Sequence, residues 1–198
     1  MYPGLYGEDS LMNLTEALRG PVTVWFTAWW IYLIRVVSVG GHFIALVPLA
    51  TVLTLAWAVR EWMRACFPRG PARAWALALI CATPLVGALG IQVRHDAPMT
   101  AGLLVWAAVA TRTRGFSAPL ERRDYLHLLF AVLLLATRHN GLPAIAGAGL
   151  LTLLAPGVDR RRCAAATAAV AFGIAAITFT ATRAAGQDHS VDLSLIHI

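Results

Sequence analysis

Charge is what this sequence has least of. Asp, Glu, Lys and Arg make up 13% of its 198 residues, against about 25% in a typical soluble domain. A chain so poor in charge lacks the polar surface that water requires, which argues against an ordinary water-facing domain. Lysine is absent, and all sixteen basic residues are Arg. Cysteine is scarce. Cys66, Cys81 and Cys163 have no close partner in sequence and no metal-ligand spacing, so they read as inert. No phosphate loop, zinc motif or nucleophile elbow occurs. No basic segment precedes a cleavable apolar stretch, so no signal-peptide pattern opens the chain.

What remains is apolar. Hydrophobic residues make up 59% of the chain, and the mean hydropathy is +0.67. The apolar runs are 22–38, 42–62, 74–93, 97–111, 125–137, 142–156 and 163–182. Several approach or exceed the length that spans a bilayer. The expected fold is therefore all-α, a polytopic helical membrane protein of about six transmembrane helices plus an interfacial juxtamembrane helix.

The arginines set the orientation. Eleven of them (Arg60, Arg64, Arg69, Arg73; Arg112, Arg114, Arg122, Arg123; Arg160, Arg161, Arg162) fall in alternate breaks between runs. Four others, Arg19, Arg94, Arg138 and Arg183, fall in the remaining breaks, and Arg35 lies inside a run. The positive-inside rule places the eleven in the cytoplasm. The isoelectric point near 10 then reflects topology, and no nucleic-acid partner is expected. With Glu8, Asp9 and Glu16 outside, the run 42–62 must start outside to deliver Arg60 and Arg64 inside. So 22–38 does not cross. Its Trp25, Phe26, Trp29, Trp30 and Tyr32 suit the headgroup layer. The alternative is that 22–38 spans and 1–20 is cytoplasmic, in which case another span must fail.

The expected organisation is an outward acidic loop at 1–21, an interfacial or re-entrant aromatic helix at 22–41, a transmembrane bundle at 42–183 and an outward segment at 184–192. Three spans, 97–111, 125–137 and 142–156, cover only about 20–23 Å each at ~1.5 Å per residue, against ~30 Å of hydrocarbon. Polar groups must begin below the outer surface there, where ionisable residues usually line a water-filled cavity.

Four outward breaks carry candidate chemistry: Glu8-Asp9-Ser10, Arg94-His95-Asp96, Arg138-His139-Asn140-Gly141, and Arg183 with Gln187, Asp188 and His189. Acids, arginines and histidines on one face fit phosphate binding plus acid–base chemistry. Each residue also has a plain structural role. Arg94 and Arg138 suit snorkelling at helix ends. Asp96 suits an N-cap for a helix starting at Ala97. Asn140-Gly141 before Pro143 makes a turn and helix start, with Pro143 at the first helical position. His139 suits a polar helix end, and Glu8 and Asp9 suit a solvated loop. Asn13-Leu14-Thr15 matches a glycosylation acceptor pattern by chance.

The opening Tyr2-Pro3-Gly4 … Asp9-Ser10 … Ala17 … Gly20, with the aromatic helix after it, resembles membrane glycosyltransferases of the GT-C superfamily. These include the protein-mannosyltransferase-like and aminoarabinose-transferase-like bacterial enzymes. His95-Asp96-Ala97-Pro98 is similar to their basic-Asp-x-Pro step, and Arg138-His139-Asn140-Gly141-Leu142-Pro143 to their Arg-x-Asn-Gly-x-x-Pro turn, with one residue here where that turn has two before the Pro. The likeness covers most of residues 2–157. Where many relatives carry His-Pro, this chain reads Val24-Trp25-Phe26-Thr27. The arginine-only, Ala- and Gly-rich composition also suits a GC-rich bacterial gene.

The resemblance implies transfer of a sugar from a polyprenyl-phosphate donor to an acceptor on the outer face of a bacterial plasma membrane, facing periplasm or exterior. It makes Asp9 the general base or acceptor-orienting carboxylate and Asp96 the second acid. Arg138 and Arg94 would hold the donor phosphate, with Glu8, His95, His139 and Asn140 lining the same site. No cofactor motif is present, and a divalent cation is the one cofactor the acids leave open. The partners implied are the lipid bilayer, the polyprenyl-phosphate sugar and an acceptor the sequence does not name.

Two other classes compete. A transporter or lipid flippase also needs an arginine-bearing polar cavity, but no inverted repeat or matched broken helices occur. In a non-catalytic scaffold every polar break is only a loop. Such transferases normally carry a membrane helix before the acidic loop, so a longer native protein is expected. Leu193-Ser194-Leu195-Ile196-His197-Ile198 reads as a translated sequencing-adapter end, so 193–198 are expected to be non-native.

Overall fold

A computed structural model describes residues 14–18, 27–67, 70–71, 73–75, 80 and 96–185. Among these residues the structure is all-helical, with no strand. Glu8, Asp9, Arg94, His95 and nearly all of the run 74–93 lie outside them.

The first long element, α1 (Ala28–Val37), starts at Thr27, whose Oγ1 accepts from the Trp30 N–H at 3.3 Å. This hydroxyl satisfies one of the orphan donors of a helix start. Val39, Gly40 and Gly41 then take left-handed φ values of 53°, 67° and 94°, which end α1 and reverse the chain. Helix α2 (Leu46–Cys66) is followed, after a stretch of which only 67, 70–71, 73–75 and 80 are described, by α3 (Asp96–Arg112). A loop at 113–121 leads into α4 (Arg122–Leu135). A five-residue turn leads to α5 (Gly141–Leu154), and Gly157, at φ 75°, helps turn the chain into α6 (Arg160–Ala184).

The ends of these helices share partners, which fixes their directions. Cys66 hydrogen-bonds Thr111, and Val47, Thr51 and Pro98 line one cavity, so α2 and α3 run parallel. Arg112 meets Asp124 at one end and Asp96 meets Arg138 at the other, so α3 and α4 are antiparallel. Ser117 Oγ donates to the Gly157 carbonyl at 2.7 Å and accepts from the Asp159 N–H at 3.0 Å, joining the loops before α4 and α6. Arg60, Arg64, Arg112, Arg122, Arg123 and Arg160–Arg162 thus gather at one end. Asp96, Arg138, Arg183 and α1 gather at the other.

The core is Trp106, Phe116, Met63, Leu135, Ile145 and Ile174, each no more than 1% exposed. Trp106 and Phe116 rings sit 5.1 Å apart. Glycines let helices close. A Cβ on Gly149 would stand 2.5 Å from Thr167, and one on Gly173 2.9 Å from Val132. Small residues at such contacts are the usual means of close packing between apolar helices.

The exterior is apolar as well. Leu53, Leu129, Leu151, Phe172 and Phe179 are all more than half exposed. Two helices, Leu46–Cys66 and Arg160–Ala184, are long and apolar enough to cross a membrane. Only 17% of the apolar window of α6 is buried within the fold, whereas the core helix of a soluble domain is mostly buried. The expectation of about six spans is thus met on length and apolarity by two described helices. Helices α4 and α5 have 14 residues each, about 21 Å at ~1.5 Å per residue, and α1 has ten.

Element bounds differ in two places. Arg160–Arg162 form the first turn of α6 instead of a loop, because the Asp159 side chain accepts from the Arg162 N–H at 3.1 Å and starts the helix there. Pro143 stands third in α5, not first, since Asn140 is the N-cap and Gly141 opens the helix. Its missing N–H falls in the first turn either way.

Candidate functional site

Asp96 opens α3, and Arg138 lies in the turn that follows α4. These helices are antiparallel neighbours, so the start of one meets the end of the other. Arg138 Nη1 pairs there with Asp96 Oδ1. Each charge also sits at the helix terminus that favours it, the carboxylate at an N-terminus and the guanidinium beside a C-terminus.

Helix α1 braces this end. The last carbonyls of a helix have no partner within it. The Trp29 indole N–H donates to the Leu133 carbonyl at 2.8 Å, and Thr27 Oγ1 donates to the Thr137 carbonyl at 2.7 Å. The Thr137 hydroxyl donates to Leu134 O at 2.6 Å. The residue preceding Arg138 is therefore held from two sides, and the start of α1 packs against the arginine-poor end of α4. Arg35 of α1 reaches on to the carbonyls of Ala17 (2.8 Å) and Glu16 (3.1 Å).

Below the pair is a cavity of about 130 Å³, lined by Trp30 and Ile34 of α1, Val47 and Thr51 of α2, Pro98 and Leu134. Thr51 turns its hydroxyl onto the Val47 carbonyl at 2.9 Å. The buried Trp30 indole N–H has no hydrogen-bond partner.

Asp96 and Arg138 are brought together. His139 and Asn140 flank Arg138 in the same turn, both exposed. Asn140 makes no side-chain cap bond. Asp96 falls inside the first turn of α3, where it pairs with Arg138. Glu8, Asp9, Arg94 and His95 lie outside the described residues. Among the described residues no three His, Cys, Asp or Glu side chains lie together as a metal site.

One constellation was missed. At the arginine-rich end Asp124 is 2% exposed, and its Oδ1 accepts from Arg112 Nε at 2.8 Å and from Arg112 Nη2. Its Oδ2 accepts from the Glu121 N–H at 2.8 Å. His127 Nδ1 lies 3.1 Å from Arg112 Nη2, and its ring is 5.4 Å from Trp57. The signal was the acid three residues after Glu121, at the third position of a helix start. Reading that break as topological arginine alone passed over it.

The two ion pairs differ in kind. Asp124 is buried and fully bonded, which fits a lock between α3 and α4. Asp96 and Arg138 side chains are 32% and 33% exposed. The pair is only partly buried, and the solvent-facing part of the Arg138 guanidinium is open to a ligand. Protein-family models, curated proteins and solved structures were all compared with the chain, and none matches. The site is therefore read from its own residues.

Proposed function

We propose that the chain belongs to a polytopic membrane protein that transfers a sugar from a polyprenyl-phosphate donor to an acceptor at the arginine-poor, outward face. The observation that carries the reading is the accessible Asp96–Arg138 pair at that end. A guanidinium has five donors in a planar fork, and one nitrogen on Asp96 leaves others for phosphate oxygens. Asp96 then acts as the group that aims Arg138. Asp9 remains the base by resemblance, taking the acceptor proton as the acceptor oxygen attacks the anomeric carbon and the lipid phosphate leaves.

The membrane part is supported by the exposed apolar surfaces of α2 and α6 and by the division of arginines between the two ends. The interfacial reading of α1 is supported by its ten-residue length and by the packing of its start against the end of α4. Lipid-side delivery of the donor would bring its phosphate to the level where α3 begins and α4 ends.

The test is transfer of radiolabelled sugar from polyprenyl-phosphate donors by the membrane-embedded gene product, with Asp9→Asn and Arg138→Gln beside wild type. Arg138→Gln is expected to raise KM for the donor at least about tenfold, the order for loss of one charge-assisted contact. Asp9→Asn is expected to abolish turnover with donor binding intact. Full activity in Asp9→Asn overturns the assigned base, and no transfer by wild type from any polyprenyl-phosphate sugar overturns the function.

A further inference from the structure

We infer that the groove between α4 and the first half of α6 binds an anionic phospholipid of the leaflet at the arginine-rich end. The inference rests on the membrane reading above and is independent of the sugar-transfer chemistry.

The groove follows from how these two helices pack. Both start at the arginine-rich end. They touch where Gly173 faces Val132, with 2.9 Å between a would-be Cβ and the valine. Towards their N-termini they part, leaving a cavity of about 580 Å³. Tyr125, Leu128 and Val132 form one wall. The facing wall is Ala165 and Ala169, whose small side chains leave the space unfilled, and Phe116, Pro119 and Leu120 of the loop before α4 close the slot on a third side. The size lies within the range of small-ligand sites, about 300–1,000 Å³. From Arg162 to Val170 the slot runs eight residues, about 12 Å at ~1.5 Å rise, close to the ~15 Å of one leaflet's hydrocarbon.

The mouth is cationic. Arg162 lines it, held by Asp159 at 3.4 Å and by the Ser117 carbonyl at 3.5 Å, with its side chain 59% exposed. Arg160 and Arg161 stand beside it, and Arg122 and Arg123 open the facing helix, all exposed. Glu121 and Asp159 offset only part of this charge. Two helix N-termini add positive potential at the same place. An apolar slot under a cluster of arginines fits an acyl chain below an anionic headgroup. A zwitterionic lipid would bring its own cation against the arginines, and a free phosphate would leave the slot empty. Basic pockets between helices on the cytoplasmic side are recognised as anionic-lipid sites on these grounds.

The test reconstitutes the chain in vesicles of equal phosphatidylglycerol and phosphatidylcholine, then measures retained lipid by native mass spectrometry. Wild type is expected to retain phosphatidylglycerol about fivefold or more over phosphatidylcholine, since each arginine near an anionic surface contributes about that factor. Arg162→Gln, which removes charge at an exposed position, and Ala169→Leu, which fills the slot, should each bring the ratio towards parity. Arg183→Gln at the opposite end should not change it. Parity in wild type, a wild-type ratio in both groove variants, or an equal loss in Arg183→Gln each overturns the inference while the chain stays integrated. A chain that alkaline carbonate strips from the vesicles overturns the membrane reading instead, and the inference with it.

Discussion

Asp124→Leu is expected to destabilise the fold strongly. Asp124 is 2% exposed, and its two oxygens are bonded to Arg112 and to the Glu121 N–H. Removing one member of a buried ion pair typically costs about 3–5 kcal/mol, because the partner charge stays buried. Arg112 is 18% exposed, so water can reach part of its guanidinium, and the lower end of that range applies. Loss of the bond at the start of α4 adds about 1 kcal/mol. The expected total is about 4 kcal/mol. Arg112→Met alone should cost a similar amount by stranding Asp124. The double variant should recover most of it, since an apolar pair of similar volume often replaces a buried ion pair without loss. The assay is denaturant unfolding in detergent micelles, followed by helical circular dichroism and tryptophan fluorescence, with Trp57 beside His127 as a local reporter. A coupling energy of about 2 kcal/mol or more in the double-mutant cycle is expected. Single variants additive to within about 0.5 kcal/mol would refute the lock.

Three further outcomes follow from the packing. Thr27→Val should lose the bond to the Thr137 carbonyl and the cap on Trp30, costing about 1–2 kcal/mol, and should loosen α1 as read by proteolysis. Gly149→Ala should cost about 1–3 kcal/mol by driving a methyl into Thr167, whereas Gly147→Ala, with open space around it, should be neutral or stabilising by up to about 1 kcal/mol in the same unfolding assay. In a background with the native cysteines replaced, Ser117→Cys and Asn140→Cys should react with an impermeant thiol reagent from opposite faces of sealed vesicles. Labelling of both from one face would contradict the topology.

Much of the helical plan was legible in the chain. The run 97–111 became Asp96–Arg112, and 142–156 became Gly141–Leu154, because apolar stretches bounded by Asp, Arg, Asn-Gly and Pro carry their own start and stop signals. The run 42–62 became Leu46–Cys66, shifted because Gly40 and Gly41 hold the chain in a turn through residue 45. The start of α6 moved back to Arg160 because Asp159 supplied a cap inside what looked like a charged loop. Half of the candidate site was legible in the same way. Asp96 and Arg138 were singled out by residue type and position, yet nothing local says that they touch.

The sequence by itself determined an all-helical chain with too little charge for water around its helices and with its arginines divided between two ends. Composition and loop charge are local properties, so they survive without knowledge of packing. Only the tertiary structure decided that Asp96 reaches Arg138, that α1 caps the last turn of α4, and that Asp124 is buried against Arg112. Those three depend on the lengths and crossings of separate helices, and a contact between residues far apart in the chain exists only once the helices have packed.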